Sequence, residues 1–341
     1  MTSTRLVLVG LSLLVAACSS SSSSGNGATP TDGGSVTPDG GVADASGTGD
    51  DSATSGDAYN PNAPVLATTG IGPIPVAAGE ETTLCIEKRL TTTEDMLVTR
   101  MVADLSPGSH HLIVYQSTGT TEQLTPFACQ PFEGLVASTA VPLMLVGEEH
   151  VDYGFPTGVG ITVPAGQMIR VEAHYINTTS AAIQGMGSVQ LEGVPLAAAG
   201  SFIEANFGFW GTLDINIPAN STYSTPVKFQ TAIAGTTAFA VSSHQHHLGT
   251  EVKVWMSANA SDMSDPILDE TNWAAPTLEQ LTPPLMFNGT NGLSYQCSWD
   301  NTTSSPVSFG ESATDEMCFV ALYYYPSHGF DKCFDGTCPG R

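Results

Sequence analysis

Positive charge is scarce in this chain. Nine lysines and arginines stand against 33 aspartates and glutamates among 341 residues, a formal net charge of −24. That balance argues against nucleic acid as a partner and against long-range capture of an anionic substrate. Helical periodicity is missing too: beyond residue 62 no stretch keeps a 3.6-residue apolar spacing for more than about two turns. After the first 18 residues no apolar run approaches the roughly 20 residues that a membrane-spanning helix needs. There is no C-x-x-C pair, so a thiolate metal site has no foothold. G-x-S-x-G, the P-loop, G-x-G-x-x-G and H-E-x-x-H are all absent.

Residues 1–18 read as a bacterial export signal. Arg5 supplies the positive start, residues 6–15 the apolar stretch, and V-A-A-C the cleavage site. A cysteine at the cleavage position resembles a lipobox, which implies a lipid-modified Cys18 as the mature N-terminus; ordinary secretion is the alternative. Residues 19–61 hold a serine run, then Gly, Thr, Pro, Asp and Ala, with six aspartates (Asp32, Asp39, Asp44, Asp50, Asp51, Asp57) and no Lys or Arg. Nothing there can form a core, so a disordered, extended tether is expected. The chain is therefore expected to be exported and lipid-anchored to the bacterial cell envelope, at the outer membrane, periplasm or cell surface. The lipid is its only expected membrane link, and a monomer is the expected state.

The remainder is long enough for two domains of ordinary size. It reads as all-β: short runs rich in Val, Ile, Thr, Tyr and Phe, broken by Gly, Pro, Asn and Asp, at 96–102, 112–115, 160–163, 168–175, 236–242, 251–256 and 318–325. Strands at this spacing suggest two antiparallel β-sandwiches. The small-residue connector at 193–200 places the boundary, giving domains 62–196 and 197–341 after the signal (1–18) and the tether (19–61). With Cys18 set aside, six cysteines remain, and an exported chain with an even count forms disulfides. Of the fifteen pairings that six cysteines allow, Cys85–Cys129, Cys297–Cys318 and Cys333–Cys338 are favoured.

Six side chains carry the candidate chemistry: His110, His111, His174, His244, His246 and Met317. They lie in G-S-H-H-L-I-V-Y, V-E-A-H-Y, H-Q-H-H-L-G and D-E-M-C. Imidazoles with one thioether suit copper cycling between Cu(II) and Cu(I) better than zinc or magnesium. They read as two separate copper sites of three ligands each. His244 and His246, two apart on a strand, would face one side and close on one metal. His247 would point away. His110 and His111 are adjacent, so both reach one metal only if the strand bulges or ends there; Pro107, Gly108 and Ser109 make that plausible. Taken singly, each motif has a bland reading: H-x-H as a polar edge strand, His174 as a half-buried hydrogen-bonded residue, Met317 as core. His150 reads as surface loop and His328 as part of a turn. The N-x-[ST] sequons at Asn177, Asn220, Asn259, Asn288 and Asn301 are given no meaning.

In order, T-T-L-C-I-E-K-R-L, S-H-H-L-I-V-Y, G-V-G-I-T-V…V-E-A-H-Y, S-S-H-Q-H-H-L-G and T-D-E-M-C-F-V-A-L-Y-Y-Y resemble the ascorbate-dependent copper monooxygenases, the family of peptidylglycine α-hydroxylating monooxygenase and dopamine β-monooxygenase. The resemblance covers roughly residues 81–325. It implies two jelly-roll domains with a solvent-filled cleft between them. It also implies an electron-transfer copper on His110, His111 and His174, an oxygen-activating copper on His244, His246 and Met317 as the catalytic site, and the pairs Cys85–Cys129 and Cys297–Cys318. Two copper ions, O2, a small-molecule substrate and ascorbate or an equivalent one-electron reductant follow from it. The departures surround the substrate. Amidating members carry Arg where this chain has Ser242, and Asn and Tyr where it has Phe319 and Ala321. The missing Arg removes a carboxylate clamp, so a neutral or partly aromatic substrate is expected. Glu172 replaces a family glutamine and either tunes the first site or faces solvent, with solvent the expectation. A non-catalytic copper-binding lipoprotein and a structural surface lipoprotein are the alternatives.

Overall fold

The structure is a computed structural model, and it describes residues 63–132 and 140–341. The export signal, Cys18 and the tether lie outside the described residues. What is described is all-β apart from one short 3-10 turn, Leu196–Ala198.

Residues 65–204 build two sheets. One runs in the order Val65–Val76, Ile183–Pro195, Met96–Leu105, Val159–Val163, Ile203–Glu204, with His150–Gly154 also paired to Met96–Leu105. The other runs Gln123–Ala128, Glu81–Arg89, Met168–Ile176, Ser109–Gln116, Val141–Val146. Residues 206–334 build two larger sheets and a two-stranded one, Asn216–Ile217 with Val307–Ser308. The first is Glu279–Met286, Thr237–His244, Phe319–Tyr325, Asn206–Gly211, Asp331–Phe334. The second is Ser221–Ser224, Gly292–Asn301, Gly249–Ser257, Leu268–Glu270, with Lys228–Thr231 on Gly292–Asn301. Pairing is antiparallel except where Ile203–Glu204 joins Val159–Val163 and where Asp331–Phe334 joins Asn206–Gly211.

Sequence pattern explains which strands sit centrally. Ile183–Pro195 turns Val189 and Leu191 inward and leaves Met186 exposed, the alternation of a strand with one dry face. Phe319–Tyr325 (F-V-A-L-Y-Y-Y) is buried on both faces. Its even positions, Val320, Leu322 and Tyr324, join Trp210, Val241 and Trp299 in one apolar cluster. Its odd positions, Phe319, Ala321 and Tyr323, join Phe207, Phe209 and Phe239 in another, which also contains Phe132, Leu145, Tyr153 and Phe155 from the first half. Each large side chain so buried contributes roughly 1.5–3 kcal/mol.

That second cluster corrects one expectation. The resemblance implied a solvent-filled cleft, but in the described residues the two halves meet through apolar side chains. Tyr323 donates to the Leu143 carbonyl at 3.0 Å, and the Leu278 N–H donates to Glu148 at 2.8 Å.

Two corners repeat. Asn177 and Asn301, both buried, each open an N-T-T-S turn. The Asn177 amide donates to the carbonyls of Val76, Ala77 and Ala181 and accepts from the Thr179 N–H and hydroxyl. Asn301 does the same with Ile217, Pro218, Ser305 and Thr303. All three favoured disulfides are present: Cys85–Cys129, Cys297–Cys318 and Cys333–Cys338.

Candidate metal centre

Local backbone geometry brings the adjacent histidines together. In the ladder between Ser109–Gln116 and Met168–Ile176, Ser109 faces Tyr175 and His111 faces His174, so His110 is the extra residue of a bulge. Gly108 before it has φ +85°, and a Cβ there would lie 2.4 Å from the Ile183 side chain. Only glycine meets both conditions. His244 is the last residue of Thr237–His244, but His246 lies in the turn that follows. The expected pair on one regular strand is thus a strand end plus a turn. His247 points elsewhere, exposed, with its Nδ1 against the Ala313 carbonyl.

All five rings are buried, none more than 3% exposed. They form one group. The His110 ring centroid lies 5.3 Å from His111, 5.4 Å from His174, 4.9 Å from His244 and 5.8 Å from His246. Two triads have ligand atoms mutually within 4.8 Å: His110, His111, His174, and His110, His244, His246. The sequence reading drew two separate sites; the structure places His110 in reach of both.

Hydrogen bonds fix which ring nitrogens are bare. His174 Nε2 donates to Glu81 at 3.0 Å, leaving Nδ1 without a partner. His111 Nε2 faces Glu172 at 3.4 Å, again leaving Nδ1. His246 Nδ1 donates to the Asp315 carbonyl at 3.0 Å, leaving Nε2. Nε2 of His244 and both nitrogens of His110 are also buried and unpartnered. The Ala274 carbonyl lies near the His110 ring without reaching hydrogen-bond geometry. Orphaned buried nitrogens are costly in a folded chain and call for a partner. Burial, then the neighbouring imidazoles, push His110, His111 and His244 well below the usual histidine range; burial brings His246 to about 4. These four rings are therefore neutral at pH 7, as metal ligands must be.

Carboxylates that sequence reasoning undervalued or missed hold this group. Glu172 does not face solvent; it is fully buried and also accepts from the Tyr115 hydroxyl at 3.0 Å and the Phe132 N–H at 2.8 Å. Glu81 joins the halves, taking the Ala313 N–H at 2.8 Å as well as His174; the His174 bond is the main cause holding it below the usual carboxylate range. Glu316 accepts from the N–H groups of His246 and Leu248 and from the Trp299 indole. Burial pushes it up to about 7 against those donors. It thereby ties the turn carrying His246 to the residue before Met317. The only sequence sign of Glu316 was its place in D-E-M-C.

Met317 is fully buried between Glu316 and the disulfide-bonded Cys318. Phe132 wedges among the histidines, its ring 4.6 Å from both His111 and His244. Trp273, half-buried, lies 5.5 Å from His110. Of the candidate substrate residues, Ser242 pairs with Ala321 and Phe319 pairs with His244, all on one sheet face and all buried. Phe319 packs on Phe209 at 4.6 Å. His150 is exposed on Asp104, at the start of a strand and not in a loop, and His328 is exposed.

A donor set of five buried imidazoles fits copper. Residues 217–340 match the family model "Copper type II ascorbate-dependent monooxygenase, C-terminal domain". A tyramine beta-hydroxylase of Caenorhabditis briggsae is 25% identical over 295 residues, covering 76% of this chain and 48% of the relative, so the chain spans about half of that protein's length. Among solved structures, the major capsid protein P2 of bacteriophage PM2 is 8% identical with a TM-score of 0.27, covering 75% of this chain and 96% of that one. A secreted protein of Eubacterium rectale is 9% identical with a TM-score of 0.23, covering 68% and 67%. Likenesses that weak carry no argument. The family match falls on the part of the chain that holds His244, His246 and Met317, and that part is similar to the C-terminal domain of the copper type II ascorbate-dependent monooxygenases.

Proposed function

We propose that this chain is a copper monooxygenase that hydroxylates a C–H bond of a neutral or partly aromatic small molecule. Two coppers serve it, one on His110, His111 and His174 and one on His244, His246 and Met317. When bound, copper would supply one-electron exchange with an ascorbate-type reductant and the activation of O2. The observation that carries the reading is the set of buried imidazoles whose free nitrogens have no partner among the described residues.

The chain's own residues do the positioning. Glu81, Glu172 and the Asp315 carbonyl take the ring N–H groups of His174, His111 and His246, so each presents its other nitrogen. Glu316 and the Cys297–Cys318 bond hold the backbone on either side of Met317. The Phe132 and Phe319 rings exclude water. No arginine stands at position 242 to clamp a carboxylate. We assign the halves to two jelly-roll domains, 62–196 and 197–341; the twin Asn177 and Asn301 corners support a shared plan. An envelope location through a lipid on Cys18 and a monomeric state complete the proposal.

The test is copper per chain after reconstitution and desalting, on the wild type, His174→Ala and Met317→Ile, followed by ascorbate-dependent O2 uptake over a substrate panel that includes tyramine. About two coppers, site-specific loss in His174→Ala, weakened Cu(I) binding in Met317→Ile and substrate-dependent uptake support the enzyme. Copper bound with no uptake on any substrate favours a non-catalytic copper-binding lipoprotein. Binding unchanged by either substitution sinks both.

A further inference from the structure

We propose that Trp299 and Tyr223 form an electron relay between the His244, His246 and Met317 position and the protein surface, which carries oxidising equivalents away from the site when no substrate is there to take them. The proposal deepens the monooxygenase reading and rests on it.

The inner end of the relay is bonded to the ligands' own backbone. Trp299 is 1% exposed, and its indole N–H donates to Glu316 Oε2 at 2.8 Å. The same oxygen takes the His246 N–H at 3.0 Å, and Glu316 directly precedes Met317. A second connection is covalent: the strand Gly292–Asn301 that carries Trp299 is joined through Cys297–Cys318 to the residue that follows Met317. The outer end reaches water. Tyr223 faces Trp299 across the sheet ladder and stacks on it, centroids 6.0 Å apart and planes 20° from parallel. It is half-buried, on the outermost strand of its sheet, Ser221–Ser224. Every member of the path belongs to the second half of the chain. Indole and phenol are oxidisable side chains, whereas Phe132 and Phe319, the other rings beside His244, are not. Packing alone asks only for a large ring at 299. The bonded indole with a phenol stacked on its outer face adds an exit.

The electrons balance with one reductant. The oxidant is the copper centre after it has met O2 or peroxide without substrate. It takes one electron from Trp299, whose N–H stays in its bond to Glu316. Tyr223 gives one electron to Trp299 and its phenolic proton to water. Ascorbate then returns one electron and one proton to the tyrosyl radical. A hop across one ring stack is fast beside a typical turnover of about 10 per second.

The experiment uses the whole chain, copper-loaded and reduced, mixed with hydrogen peroxide without substrate and frozen for EPR, with and without ring-deuterated tyrosine. Peptide mass spectrometry then maps the oxidised residues. The expected result is a tyrosyl signal that narrows on deuteration and is absent from Tyr223→Phe and from Trp299→Phe. Tyr223→Phe should keep its copper content and substrate-dependent O2 uptake, yet lose activity several-fold faster in peroxide, with oxidation moved to Trp299, His244 and His246. A tyrosyl signal that survives in Tyr223→Phe overturns the relay. So does a radical confined to Trp273, the ring 5.5 Å from His110, with inactivation unchanged by either substitution. In both cases intact copper binding and O2 uptake leave the monooxygenase reading standing. A chain that binds no copper, or shows no uptake on any substrate, fails that reading and overturns the relay with it.

Discussion

At the scale of single residues, Glu172 shows how a buried carboxylate tunes a ring it does not replace. It takes the Phe132 N–H and the Tyr115 hydroxyl and faces His111 Nε2, with no surface in water. Glutamine would keep the shape and still accept two of these contacts, while removing the charge that makes His111 a stronger donor through its other nitrogen. Glu172→Gln should therefore fold with nearly unchanged thermal stability but bind copper at the first triad about 10-fold more weakly, read by competition with a chelator of known affinity. An unchanged affinity would mean that the carboxylate only packs. The five histidines that the structure gathers were legible, because they recur in short motifs whose order resembles a family's. Glu172 was misread for a physical reason. In V-E-A-H it shares a sheet face with His174, and there His111, Tyr115 and Phe132, which no local pattern predicts as its neighbours, enclose it.

Elements carry the next layer. The strand character of 96–102, 168–175 and 318–325 was visible in β-branched and aromatic residues between turn formers, and the histidine bulge in P-G-S-H-H. What pairing alone could decide was hidden: that Thr237–His244 stops at His244, leaving His246 to a turn clipped by Glu316. The twin N-T-T-S corners were legible as letters but read only as sequons. Their asparagines are buried and span three carbonyls each, so replacing one strands several buried groups. Asn177→Ala and Asn301→Ala should each cost about 2 kcal/mol or more in a urea titration. Copper content at neutral pH should not change. If either substitution costs only a few tenths, the corners are decoration and the structural parallel between the halves loses its support.

For the whole molecule the buried histidines set the response to acid. The unfolded chain protonates them near 6.5, whereas the folded chain resists, His246 down to about 4 and His110, His111 and His244 well below the ordinary histidine value. The unfolded state thus binds more protons, so stability falls as pH drops below 6.5 and keeps falling to the folded values; His246 alone accounts for about 3 kcal/mol. Glu316 runs the other way. Its folded value of about 7 against 4.5 makes the folded state the better proton binder between those limits, which offsets roughly one histidine. A net loss remains. The metal-free chain should show a melting temperature that drops steeply from pH 7 to pH 4.5. Copper at a thousandfold excess over its dissociation constant should add about 4 kcal/mol at pH 7. A flat profile would mean that the rings are not buried in solution. The all-β class was legible in the sequence. The contact between the halves was not, because Phe319, Ala321 and Tyr323 look like ordinary core until one sees what they pack against.

Enclosure also has a consequence in time. A nest with every ring at most 3% exposed cannot meet an ion without part of its wall first moving aside. Uptake then has a clock of its own, set by how often the wall opens and not by how much copper waits outside. Trp273, half-buried above His110, is placed to report it. Its fluorescence should quench at a rate that stops rising once copper is abundant, and a rate that climbs without limit would show a door already open.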